Sequence, residues 1–150
     1  MRANKLIFGQ DERVAAWVAK QLPHVGDVGF GPCRAIAVVS ASDRPLGAIV
    51  YHDYQKQAGT VQISMASVSP LWAQPQTVRD LLAVPFDQYK VRKVWTCIPH
   101  DNERAIRFNE GIGMKREATL RHQFAQGRHA VIFGMMAGQY AVRWRMKEAA

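Results

Sequence analysis

The chain has 150 residues and a formal net charge of +8, enough for one domain with a core of its own and too short for two of ordinary size. Its two cysteines, Cys33 and Cys97, lie in apolar surroundings at a spacing that suits no metal motif, which excludes a disulfide scaffold and a zinc site and reads as buried thiols in a reducing compartment. The opening stretch has only three consecutive apolar residues, too few for a signal peptide, and no later run approaches a membrane span; a cytoplasmic protein with no membrane partner is expected.

In chain order, Lys5 to Phe8 reads as a short strand, and Asp11 to Leu22 as an amphipathic helix with Val14, Trp17 and Val18 inward, closed by Pro23. The glycine-rich loop from His24 to Pro32 has the composition of a substrate-facing segment. Arg34–Ser40, Leu46–Tyr54 and Thr60–Ser69 follow as an antiparallel meander, joined by turns at 42–45 and 55–59. After Pro70 a helix is expected from about Pro75 to Tyr89, because Val78, Leu81, Leu82, Phe86 and Tyr89 recur on one face, with Pro85 set to kink or shorten it. Lys93–Ile98 is a buried strand ended by Pro99. A helix capped at Asp101 or Asn102 then carries Ala105, Phe108 and Ile112 as its apolar stripe and stops at Gly111 and Gly113. Strands at about Met114–Phe124 and His129–Met136 complete the chain before a basic tail, Gly138 to Ala150. Charge is uneven: residues 1–89 hold eight Lys/Arg against seven Asp/Glu, a balance of +1, and residues 90–150 twelve against five, a balance of +7. Such a basic field suits nucleotide phosphates, an acidic substrate or nucleic acid, and equally a solvated surface.

The segment N-E-R-A-I-R-F-N-E-G-I-G-M, from Asn102 to Met114, resembles the N-x-x-A/S…E-x-x-G-F signature of the GCN5-related N-acetyltransferases (GNAT superfamily). Asn102, Ala105, Glu110 and Gly113 match, and Met114 stands at the Phe position. The following R-E-A-T-L-R and the later A-V-I-F-G-M-M are similar to the last two strands of the branch that acetylates ribosomal-protein N-termini. The resemblance runs without gaps from about Leu81 to Gly134. It implies an α/β (α+β) protein with the acyl-CoA N-acyltransferase fold: a mixed, twisted sheet of six to seven strands with helices on both faces, formed as one domain over residues 1–150.

The resemblance also implies acetyl-CoA as co-substrate and no metal. The pantetheine arm is expected between the strands at Val61–Ser69 and Lys93–Ile98, on the backbone of Ser67, Val68 and Ser69. The pyrophosphate is expected at the start of the next helix, on the amides of Gln76, Thr77 and Val78. The usual glycine-rich phosphate loop is absent: S-P-L-W-A-Q stands in its place, with Ser69, Trp72 and Gln74 at its key positions. Trp72 then either covers the cofactor or packs in the core. Asn102 either reaches pantetheine or caps its helix, Phe108 either lines the channel or joins the core, and Arg104 and Arg107 either meet phosphates or stay on the surface.

Acetyl transfer needs a neutral amine, donors for the oxyanion and a proton for the thiolate. The tyrosine that many members use as acid is replaced here by Asn109, and the tyrosine of the final strand by Phe133. His100, Ser67 and Tyr140 are the chosen catalytic candidates, with His52 and Ser64 beside them. The reading is therefore an N-acetyltransferase moving acetyl from acetyl-CoA directly to a primary amine, one carried by a protein. The modified phosphate loop is similar to that of phage and prophage members. The alternative is a GNAT-fold binding module without catalysis, acting on nucleic acid or within a phage-type assembly. Tyr140 and Trp144 in the tail point to helical packing or a homodimer contact before a nucleic-acid surface.

Overall fold

A computed structural model describes residues 3–145. Seven strands form one mixed sheet in the order β1-β2-β3-β4-β5-β7-β6. They are β1 (Lys5–Ile7), β2 (Cys33–Val39), β3 (Pro45–Gln55), β4 (Thr60–Ser67), β5 (Lys93–Pro99), β6 (Lys115–Leu120) and β7 (Ala130–Met136). β1 to β4 are antiparallel neighbours, β2 to β4 as the meander pattern requires, and β7 lies between β5 and β6 in antiparallel register with both. Among the described residues the one parallel pair is β4 with β5. A parallel pair needs a crossover, and here it is the helix α2 (Pro75–Ala83) with the turns around it.

Side-chain alternation along β2, β3 and β4 divides the core into two layers. Ile36, Val38, Ile49, Tyr51 and Ile63 face α2, with its Val78, Leu81 and Leu82. On the other face Ala35, Ala48, Val50 and Ala66 receive Val14, Ala15 and Val18 of α1 (Asp11–Gln21). Alanines on the sheet let the helix approach closely. Asp11 fixes the start of α1, since its Oδ1 accepts the Ala35 N–H at 2.9 Å and its Oδ2 meets Arg34 at 3.4 Å.

The expected helix to Tyr89 is corrected to an α-helix ending at Ala83, followed by a π-turn over Val84–Gln88. Pro85 has no N–H for the helical ladder, and Tyr89 N–H instead donates to Val84 C=O, five residues back, at 3.1 Å. The wider turn inserts a residue into the apolar stripe. Phe86 stays buried, whereas Tyr89 rotates out to 45% exposure.

The helix α3 (Glu103–Ile112) begins at Asn102, whose Oδ1 accepts the Ala105 N–H at 3.2 Å. It ends at Gly113, with φ 104° and a left-handed C-cap whose N–H reaches Asn109 and Glu110 carbonyls. β6 stops at Leu120, short of the expected Phe124, because His122 adopts a positive φ and the chain loops back. A last helix, α4 (Ala137–Arg143), follows β7 and buries Tyr140. Residues 146–150 of the tail lie outside the described residues.

Candidate functional site

β4 and β5 are joined over three residue pairs only: Thr60 with Lys93, Val61 with Val94 and Gln62 with Trp95. Beyond Gln62 they part, and a cavity of about 380 Å³ opens between them. Ser64 to Ser67 of β4 form one wall and Thr96 to Pro99 of β5 the other. The first turns of α3 close one end through Asn102, Arg104, Ala105, Phe108 and Asn109. Trp72 and Ala73 lie beside Ser67, and Gln21, Leu22 and His24 approach from the end of α1.

The backbone of β4 faces the gap as a free strand edge. Val68 N–H donates to Leu46 C=O at 2.9 Å, toward β3. Successive residues of a strand point their peptide groups to alternate sides, so Ser67 and Met65 turn theirs into the gap.

Trp72 is 6% exposed and belongs to the core. Its ring lies 5.4 Å from that of Phe108 and rests on Gly47, where an added Cβ would stand 3.0 Å from the indole and 2.9 Å from Ala66 O. Gly47 is thus required by close approach. Trp72 and Phe108 each pack with the core and line the cavity, and Asn102 caps α3 while lining it.

Arg104 is the single Lys, Arg, Asp or Glu among the cavity-lining residues, and no carboxylate joins it. His24, at the α1 end, has its pKa lowered by burial and by the nearby Arg128 guanidinium. Its ring packs 4.8 Å from that of Phe124, bringing the loops at 22–32 and 121–129 together. Arg128 in turn forms a forked ion pair with Asp101, 2.6 Å at the closest, which lowers the Asp101 pKa.

Two polar groups stand out. Asn109 is 2% exposed, and its Nδ2 donates to Ala105 C=O at 2.8 Å. A carbonyl accepts and cannot donate, so this bond fixes the amide orientation; Oδ1 is then left buried without a partner. His52 of β3 stands 2.9 Å, Nε2 to Oγ, from Ser64. Burial lowers its pKa to about 4 against a small opposing effect of Asp53, so the imidazole is neutral at neutral pH.

Of the residues expected from sequence, Ser67, Trp72, Asn102 and Phe108 line the cavity. Others stand outside that lining. Tyr140 is buried against Phe86, rings 4.7 Å apart, and donates its hydroxyl to Asp87 at 2.6 Å, outside the cavity. His100 is exposed beyond β5; its Nδ1 accepts the His129 N–H at 2.8 Å. Arg107 is exposed and pairs with Glu103 at 4.0 Å on the solvent side of α3. Ser69 uses its Oγ to cap the short 3-10 turn Pro70–Ala73, and Val68 spends its N–H on β3. Val78 N–H is occupied by Gln74 C=O at 3.0 Å, because Val78 is already the fourth residue of α2. Gln76 and Thr77 precede it, where helix amides have no helical partner, and the Thr77 side chain is buried. Sequence reasoning missed the accepting Asn109 Oδ1 as a feature of the site. The signal was an amide at a position facing the apolar stripe of α3.

The splayed parallel pair, the crossover helix and the capped helix after β5 define the acyl-CoA N-acyltransferase fold, the fold of the GCN5-related N-acetyltransferases. The chain is similar to a mutant form of the spermidine/spermine N-acetyltransferase SpeG of Vibrio cholerae, with a TM-score of 0.75 and 10% identity over 95% of this chain and 100% of that one. A dodecameric spermidine N-acetyltransferase of Vibrio cholerae gives 0.65 and 15% identity over 77% and 71% of the two chains. A GCN5-related N-acetyltransferase of Brucella melitensis gives 0.63 and 18% identity over 72% and 52%. No protein-family profile and no curated protein matches the sequence.

Proposed function

We propose that this protein is an acetyl-CoA-dependent N-acetyltransferase, acting as a single domain over residues 1–150, that transfers acetyl directly to a primary amine. The observation that carries this reading is the opening between β4 and β5. An unpaired strand edge beside a deep cavity suits the amides of a pantetheine arm, which pair with it as a further strand would. Ser67 and Met65 supply that edge, Asn102 and Phe108 line the arm, and Trp72 closes the wall where glycines are absent. The free amides of Gln76 and Thr77 with the positive end of α2 suit a pyrophosphate, and Arg104 offers a cation. No group of three or more His, Cys, Asp or Glu is placed to hold a metal among the described residues.

The chemistry of the residues follows from their placement. The gap holds a thioester with its carbonyl against strand amides, and the amine approaches from the side of α1, between the loops that His24 and Phe124 join. Cavity-lining side chains that include no carboxylate give a polycation nothing to replace its water. A protein amine therefore suits this site better than a polyamine. The finer reading, a relative of the ribosomal-protein N-terminal branch of phage type working in the cytoplasm, is supported by the Asn102–Met114 motif and the altered phosphate loop. A homodimer through the tail helix belongs to the same proposal.

A thermal-shift titration with acetyl-CoA, using CoA and ATP as controls at matched ionic strength, tests it. At about 100 times the dissociation constant, linkage contributes about 2.7 kcal/mol, or several degrees for a domain of this size. A saturable shift with acetyl-CoA and CoA but not ATP is expected; no shift at millimolar ligand overturns the proposal.

A further inference from the structure

Ser64 is the residue where β4 has just left β5: the last pair is Gln62 with Trp95, and Ser64 already lines the cavity. It lies at the narrow end of the gap, three residues and roughly 10 Å along the strand from Ser67. On the acetyltransferase reading, an arm that enters beside Ser67 ends its acyl group near Ser64. Behind Ser64, away from β5, His52 holds the hydroxyl at 2.9 Å. Phe30 covers that imidazole, ring centroids 4.8 Å apart.

We propose that Ser64, held by His52, receives an N–H of the acceptor amine as it attacks the thioester, so that the protein uses amines that arrive already neutral. A neutral imidazole with its proton on Nδ1 accepts the Ser64 hydroxyl proton at Nε2, which leaves Oγ lone pairs facing the cavity. The pair thus presents an acceptor to the amine. Among the described residues no Asp or Glu lines the cavity to bind an ammonium, and an imidazole whose charged form is disfavoured by burial is too weak a base to strip one.

The same weak base suffices after attack, because nitrogen in the forming amide holds its proton far less tightly than in the amine. The amine lone pair forms the C–N bond, and the C–S bond breaks with its electron pair on sulfur. The nitrogen proton passes to Ser64 Oγ as the hydroxyl proton passes to His52 Nε2, and the imidazolium returns a proton through solvent to the thiolate. Atoms and charge balance without a further reagent.

The inference rests on the acetyltransferase reading, so its test separates the two. The probes are two stable CoA adducts in which a CH2 follows the sulfur and carries either a methylamide or a dimethylamide. Both occupy the thioester and amine positions, but only the first has an N–H. The wild-type protein is expected to bind the methylamide about tenfold more tightly, the size of one buried acceptor left unpaired. In Ser64→Ala the preference should disappear while CoA affinity is unchanged. His52→Leu should weaken the preference, and His52→Gln, which can still accept from Ser64, should retain most of it. Equal binding of the two adducts by the wild type, or an undiminished preference in Ser64→Ala, overturns the inference while leaving the cofactor assignment standing. Failure of CoA itself to bind removes the acetyltransferase reading and this inference with it.

Discussion

Asn109 and His52 show how single groups bear both on stability and on the site. The Asn109 Oδ1 is buried without a partner, a condition that costs about 1–3 kcal/mol. Asn109→Leu keeps nearly the same volume and removes the orphan, so the free protein should melt at the same temperature or slightly higher. If the ligand supplies the missing donor, the same substitution should shrink the acetyl-CoA-induced shift; a scan with and without ligand checks both. His52 makes an opposite, pH-dependent demand. Its folded pKa, about 4, lies below the ordinary 6.5, so between these values the unfolded chain binds a proton that the folded one refuses. Its stabilising effect is full above pH 6.5 and is lost as pH falls toward 4. Urea unfolding at pH 7.5, 6 and 5 should show this fall, and His52→Gln should flatten part of it, the remainder including His24, whose pKa is also lowered. At this scale the sequence was only partly legible. Asn102 could be read because a cap acts on its own neighbours. The orphaned acceptor of Asn109 depends on what packs around it, and the bond between His52 and Ser64 depends on the register of two strands.

At the scale of elements, strand, helix and cap were legible where the deciding forces are local. Pro99, Asn102 and Gly113 punctuate the β5–α3 unit, and the structure has each in that role. The second half of the α2 pattern was less so. Its apolar spacing continues through Phe86, but Pro85 converts the helix to a π-turn and turns Tyr89 outward. The gap between β4 and β5 is not written in either strand alone, because splaying is a property of the pair. On one side of it Trp72 lines the cavity and packs on Gly47. Gly47→Ala places a methyl 3.0 Å from the indole and 2.9 Å from a fixed carbonyl oxygen. Overpacking of this kind costs about 1–3 kcal/mol, and it should displace Trp72 toward the cavity. The expected result is a lower melting temperature with weakened acetyl-CoA binding. Trp72→Phe on the Gly47→Ala background relieves the crowding and should recover part of both, which calorimetry and ligand titration will register together.

For the whole molecule, the arrangement of charge relates the two halves of the sheet to different tasks. The half built from residues 1–89 is nearly neutral, and the half from 90–150 carries +7 of the total +8. The boundary falls just before β5, so the wall of the cavity formed by β5 and α3 belongs to the basic half and the wall formed by β4 to the neutral one. Arg104 projects from the basic side into the lining, while Arg107 and Arg128 are already engaged with Glu103 and Asp101. A phosphate-bearing cofactor would therefore meet a broad positive field and a specific cation at the cavity, in place of the missing glycine loop. Field and contact respond differently to salt: exposed charges are screened within about 8–10 Å at physiological ionic strength, whereas a cation in contact with a phosphate is less affected. CoA affinity should fall steadily between 50 and 300 mM salt, the fall being shallower for CoA lacking its 3′-phosphate, with roughly two fewer charges to attract. Arg104→Gln should weaken binding at every salt concentration and reduce the slope only slightly, whereas Arg107→Gln should weaken binding at low salt and leave it nearly unchanged at high salt. Isothermal titration across the salt series distinguishes these patterns. An affinity indifferent to salt and to Arg104 would mean that the backbone of β4 and α2 holds the cofactor unaided, and that the basic half of the molecule serves another partner.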